Sequence, residues 1–282
     1  DVGKVVLQEL TGEAQAKSPR RRFWQPLVLP ALAIFTGLLI GAILIVLTSE
    51  QVYAAFRQSF GAGLLAALQA VGKAYGALLQ GSFGDPVRIV NALGSGDALE
   101  IRRAFNPFLE SLVAATPYIF AGLAVAVGFR AGLFNIGVEG QLFIGAAAAT
   151  FVGYAVKGLP AYIHMPLAML AGAVAGGFWG FIPGWLKAKT GGHEVINTIM
   201  LNWIAFRLTD WLLAGPMQRP HSGGMPISPM IEPTARIPQF FPAPIRFHLG
   251  FFIALAVAYF IYWLLFKTTW GFNLRTVGAN PN

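Results

Sequence analysis

Residues 27–48 pass 22 positions without a charged side chain. At 1.5 Å per residue, a helix of that length crosses a hydrocarbon core of about 30 Å. Comparable apolar runs follow at residues 112–129, 136–156, 166–186, 195–213 and 249–266. Lipid cannot bond to backbone amides, so long apolar segments in it become helices whose amides bond internally. The expected fold class is an all-α integral membrane protein, a polytopic helical bundle with about six transmembrane spans.

The composition agrees, with 56% hydrophobic and 11% charged residues against about 25% charged in an average soluble domain. The net charge of +8 does not point to nucleic acid. Its densest cluster, Arg20, Arg21 and Arg22, directly precedes the first run, as the positive-inside rule places it. With no cysteine there is no disulfide and no thiolate metal site. The four histidines, at 164, 193, 221 and 248, lack ligand spacing, so no metal is expected. There is no phosphate-binding glycine loop, so any ATP must be bound by another chain, and no cofactor is expected. The first residue is Asp1 rather than a methionine, and residues ahead of it are expected.

Residues 132–141 read GLFNIGVEGQ and interrupt two apolar runs. Polar groups at membrane depth are costly and usually line a path or a site. A broken helix is expected here, with Asn135, Gly137, Glu139 and Gln141 as candidates for the translocation path. The bland alternative for Glu139 is a carboxylate favoured by the positive start of a helix. Asn197 and Asn202 are weaker path candidates, because asparagine in membrane helices often ties neighbours together. Arg207 and Asp210 have i, i+3 spacing and are expected to pair. Gly172, Gly176, Gly180 and Gly184 put one small residue on each turn of a single helix face, suited to close helix packing.

Organisation follows from the runs. Residues 1–22 form a basic cytoplasmic segment, and residues 23–282 a transmembrane domain. Segments 49–110 and 214–247 are external; the first carries apolar patches at 61–71 and 75–79 that read as interfacial helices. The second is proline-rich and is expected to lack regular helix. The amino terminus and residues 271–282 lie inside.

Three stretches carry a family resemblance: residues 115–146, which include FRAGLFNIGVEGQ; residues 191–205, GGHEVINTIMLNWIA; and residues 271–282, GFNLRTVGANPN. Together they resemble ATP-binding-cassette importer permeases of the ribose and branched-chain amino-acid permease superfamily, and are most similar to the nucleoside and simple-sugar group. The resemblance covers the chain from about residue 26 onward. It implies an inner-membrane subunit of a bacterial importer for a small polar solute, a nucleoside or a simple sugar. The implied partners are two cytoplasmic ATP-binding subunits, a second permease subunit, the same or related, and an extracytoplasmic solute-binding protein, within membrane lipid. It also implies that Arg275, Gly278, Asn280 and Pro281 open a segment coupling to the ATPase. Family members continue past the Asn-Pro pair into further spans, so the carboxyl half is expected to be missing.

Two readings compete. A secondary, ion-coupled transporter needs a coupling-ion site, and Glu139 is the only acid well placed for one. A membrane-embedded enzyme needs paired acids, a histidine cluster or a nucleophile within the spans, and the runs contain none.

Overall fold

The computed structural model describes residues 21–243 and 245–279. Residues 1–20, with most of the basic segment, and the expected coupling residues Asn280 and Pro281 lie outside the described residues. Described residues are helical or irregular, with one isolated bridge between Gln239 and His248. They divide into two compact units at Gly81.

The first unit holds α1 (Arg21–Thr48), α2 (Glu50–Gln58) and all but the last two residues of α3 (Phe60–Phe83). None of the residues in the most apolar window of α1 is buried. A helix apolar all round, with no buried residue along that stretch, has lipid as its main solvent. The Tyr75 hydroxyl of α3 donates to the Leu38 carbonyl of α1, beside Gly41, where an added Cβ would lie 2.8 Å from that hydroxyl. Phe56 of α2 packs on Gly63.

The second unit contains α4 (Pro86–Ser95), α5 (Ala98–Arg130), α6 (Val138–Ala155), α7 (Ala161–Thr190), α8 (Glu194–Ala214), α9 (Gly250–Lys267) and α10 (Thr269–Ala279). The Asp85 and Asp97 carboxylates cap α4 and α5, accepting from the amides of Val87 and Leu99 at 2.9 Å each. The glycine stripe of α7 seats α6. A Cβ on Gly172 would lie 3.0 Å from the Gly145 carbonyl, one on Gly176 3.0 Å from the Gln141 carbonyl, and one on Gly180 2.9 Å from the Gln141 side chain. Gly184 faces open space. Arg207 and Asp210 of α8 pair at 3.5 Å.

The segment between α8 and α9 is ordered by burial rather than by helix. Met217, Ala235, Ile245 and Phe247 are buried, and a single 3-10 turn forms at Pro233–Ala235. Fully buried His164 of α7 anchors it, with Nδ1 2.8 Å from the Thr234 hydroxyl and Nε2 3.1 Å from the Val152 carbonyl.

The expected fold class needs correction. Among the described residues five helices, rather than about six, are long and apolar enough to cross a membrane: Leu27–Thr48, Phe60–Phe83, Ala98–Arg130, Ala161–Thr190 and Gly250–Lys267. The patches at 61–71 and 75–79 are one continuous helix, α3, because Lys73 interrupts the hydropathy but not the backbone. The expected spans at 136–156 and 195–213 form α6 and α8, which are not among the five. Their apolar runs are broken by Glu139 and Gln141, and by Asn197, Asn202, Arg207 and Asp210. The late helices of this chain, α8 and α9, are both present.

Candidate functional site

The break at 131–137 is built by two helix ends and the side chains that satisfy them. α5 stops at Arg130 because Gly132 adopts a left-handed φ of +73°, a conformation glycine enters without steric cost. The Leu133 amide donates to the Gly128 carbonyl at 2.9 Å and the Gly132 amide to the Phe129 carbonyl at 3.2 Å. This pair of bonds is a Schellman closure. The chain then runs without regular structure to Gly137, which precedes the first residue of α6, Val138.

The first turn of a helix leaves amides without partners, which lipid cannot supply. Here side chains supply them. The Asn135 carbonyl oxygen accepts from the Gly137 amide at 2.9 Å and from the Gln141 side-chain amide at 3.4 Å. Asn202, buried on α8, accepts from the Gly140 amide at 2.8 Å and donates to the Ile136 carbonyl at 3.1 Å. Close approach makes this possible: a Cβ on Gly137 would lie 3.1 Å from that of Thr198, and one on Gly140 2.9 Å from the Asn202 oxygen.

Two further elements close on the break. Lys187 at the end of α7 donates to the Gly132 carbonyl at 2.9 Å and to the Glu194 carboxylate at 2.8 Å. That bond from Lys187, aided by backbone donors, holds the Glu194 carboxyl below the usual carboxylate range. From the other side, α10 lays Gly278 on the break. A Cβ there would collide with the Arg130 carbonyl oxygen and lie 2.8 Å from the Gly132 amide. The Arg130 and Arg275 guanidiniums sit 5.4 and 5.2 Å from the centroid of one Phe266 ring, tying α5, α9 and α10 together. A cleft of roughly 370 Å³ opens among Gly132, Leu133, Gly184, Lys187 and Val277.

Residues 108–282 match the family model described as branched-chain amino acid transport system / permease component. The chain belongs to that family. Among its relatives is the guanosine ABC transporter permease protein NupP of Bacillus subtilis, 38% identical over 91% of this chain and 62% of the relative. A glucose ABC transporter permease protein of Haloferax volcanii is 42% identical over 61% of this chain and 47% of its own length. A nucleoside ABC transporter permease protein of Lactococcus lactis is 29% identical over 68% and 52%. The chain thus spans between about half and three fifths of the length of these relatives. No solved structure matches it.

Within this permease chain, the candidate residues are sorted by geometry. Asn135, Gly137, Gln141 and Asn202 meet at the break. Glu139 is exposed in the first turn of α6 and has no hydrogen bond or ion pair among the described residues. Asn197 stays half-buried near Gly192, away from the break's bonds. Arg275 and Gly278 reach the break through Phe266 and the Arg130 carbonyl. Sequence reasoning missed Lys187, Glu194 and Thr198. The available signal was that an Arg-Ala-Gly helix stop leaves end carbonyls, and a lysine ending another helix can serve them.

Proposed function

We propose that this chain is a membrane subunit of an ATP-driven importer for a small polar solute, a nucleoside or a simple sugar. Family membership supports the permease role, and relatives named for guanosine, nucleosides and glucose support the solute class. The observation that carries the reading is the seat of Gly278 on the Arg130–Gly132 backbone, which puts α10 in direct contact with the polar break. A helix pushed at one end by an ATPase then carries the break with it as a rigid body. Glu139 and Gln141 present polar groups where that motion is felt.

In this reading, residues 1–22 are a cytoplasmic basic segment and residues 23–282 form the permease domain. Segment 271–282 is the coupling surface for two cytoplasmic ATP-binding subunits. A second permease subunit completes the path, and an extracytoplasmic binding protein delivers the solute. The membrane is the bacterial inner membrane. The end bearing Arg130, Lys187, Lys189, Lys267 and Arg275 faces the cytoplasm, in line with the positive-inside rule.

The test is uptake of labelled guanosine and glucose by cells carrying the complete system. Uptake lost on deleting the ATP-binding partner, and insensitive to a proton uncoupler, is the expected result. Uptake that survives the deletion and collapses with the uncoupler would establish the ion-coupled alternative.

A further inference from the structure

Away from the break, α4 and the start of α5 form a corner that the transport reading does not use. Gly84, at φ +92°, brings the turn before α4 against α5; a Cβ there would lie 2.9 Å from the Ala104 carbonyl. This close approach sets Arg88 of α4 beside Arg102 and Arg103 of α5. All three are exposed and make no hydrogen bond or ion pair among the described residues. The acids nearby are occupied. Asp85 and Asp97 cap their helices, Glu100 accepts from the Ser95 hydroxyl at 2.8 Å, and Glu110 pairs with Arg246.

The three arginines line one cavity of roughly 160 Å³ with Asn106 and Ile245, and no carboxylate lines it. The Asn106 side-chain oxygen lies buried at its wall, with no hydrogen-bond partner among the described residues. A site with three free cations and one unanswered acceptor suits an anion that also carries a hydroxyl. Arg88 and Arg103 also line a neighbouring cavity of roughly 420 Å³, where Asp85 and Glu100 lie, so the anion belongs in the smaller one.

The flank of the corner is apolar. Val87, Val90 and Leu93 recur every third residue on α4 and are 67%, 68% and 56% exposed. A short amphipathic helix with bare aliphatic side chains beside arginines is built to lie in the membrane interface. Surface lysines and arginines attract anionic headgroups at such depths.

We propose that Arg88, Arg102 and Arg103 hold the phosphodiester of an anionic glycerolipid. Its headgroup hydroxyl donates to the Asn106 oxygen, and its acyl chains run along Val87, Val90 and Leu93. The site requires nothing of the solute path, and it stands whether or not the import reading does.

The test is native mass spectrometry of the full chain released from nanodiscs of phosphatidylcholine with a minor fraction of phosphatidylglycerol. The expected result is selective retention of phosphatidylglycerol, weakened on the order of fivefold for each arginine replaced by glutamine. The variant R88K/R102K/R103K should keep most of the preference, which separates loss of charge from loss of fold. Asn106→Leu should reduce the preference for phosphatidylglycerol over phosphatidic acid. Equal retention by the wild type and R88Q/R102Q/R103Q would overturn the proposal. So would displacement of the lipid by millimolar inorganic phosphate, which would mark a free-anion site. Loss of binding-protein docking in the glutamine variant with lipid retention unchanged would overturn it in favour of a protein contact.

Discussion

Gly278 and Arg130 meet backbone to backbone: the position of a side chain on Gly278 is taken by the Arg130 carbonyl oxygen. Gly132 reciprocates, since its own Cβ would lie 3.1 Å from the Gly278 Cα. Helix α10 and the helix break therefore share a glycine-on-glycine seat that no larger residue can occupy unchanged.

Gly278→Ala should lift α10 from the break at a cost of about 1–3 kcal/mol, the usual range for overpacking. Membrane insertion should persist, because the apolar spans are untouched. Solute uptake and ATPase coupling in the assembled system should fall together, and limited proteolysis should cut sooner at 268–279.

The two asparagines of α8 should separate cleanly. Asn202→Leu leaves the Gly140 amide and the Ile136 carbonyl without their partner, a loss of about 1–3 kcal/mol for buried groups. Asn197→Leu removes no bond to the break and should shift thermal unfolding in detergent far less. Equal shifts would show that Asn202 does not hold the break.

A face-specific result is expected on α7. Gly176→Ala meets the Gln141 carbonyl at 3.0 Å, whereas nothing stands within 4 Å of a Cβ on its neighbour Gly177. The first should destabilise the α6–α7 pair by about 1–3 kcal/mol. Gly177→Ala should be neutral or slightly stabilising, since alanine favours helix. Thermal unfolding of the two variants in one detergent decides between these outcomes.

Much of this was legible in the residues. The break showed because asparagine, glutamate and glutamine inside apolar runs have few other uses. The small face of α7 followed from four-residue glycine spacing, and the Arg207–Asp210 pair from helical periodicity. The count of crossing helices was not legible. Lys73 split one helix on paper because hydropathy averages charge, while a lysine stem can lie along a helix and carry its ammonium toward water. Lys187 was hidden for a different reason. Its partners Gly132 and Glu194 lie 55 and 7 residues away, and only packing of α7 beside the break joins them. Asn202 was named among the candidates, but its bonds to Gly140 and Ile136 depend on the register of α8 against α6, which local pattern does not encode.

Glu139 stands exposed in the first turn of α6, without a protein partner among the described residues. If it faces the solute path, Glu139→Gln should slow uptake on the order of tenfold, the loss of one charge-assisted contact. Assembly with partner subunits should be unchanged, since no bond within the chain is removed. Normal uptake by assembled complexes would reduce Glu139 to a residue favoured by the helix start.

The seat of α10 on the break is tested most directly by distances. The chain has no native cysteine, so spin-label pairs can be placed at Val277 and Phe134, and at Phe134 and Ser222, in the assembled importer. Double electron–electron resonance would then be recorded without nucleotide and with ATP trapped. The expected result is an unchanged Val277–Phe134 distance together with a shifted Phe134–Ser222 distance, α10 and the break moving as one body. A Val277–Phe134 distance that changes with ATP while Phe134–Ser222 stays fixed would contradict it, because α10 would then move without carrying the break.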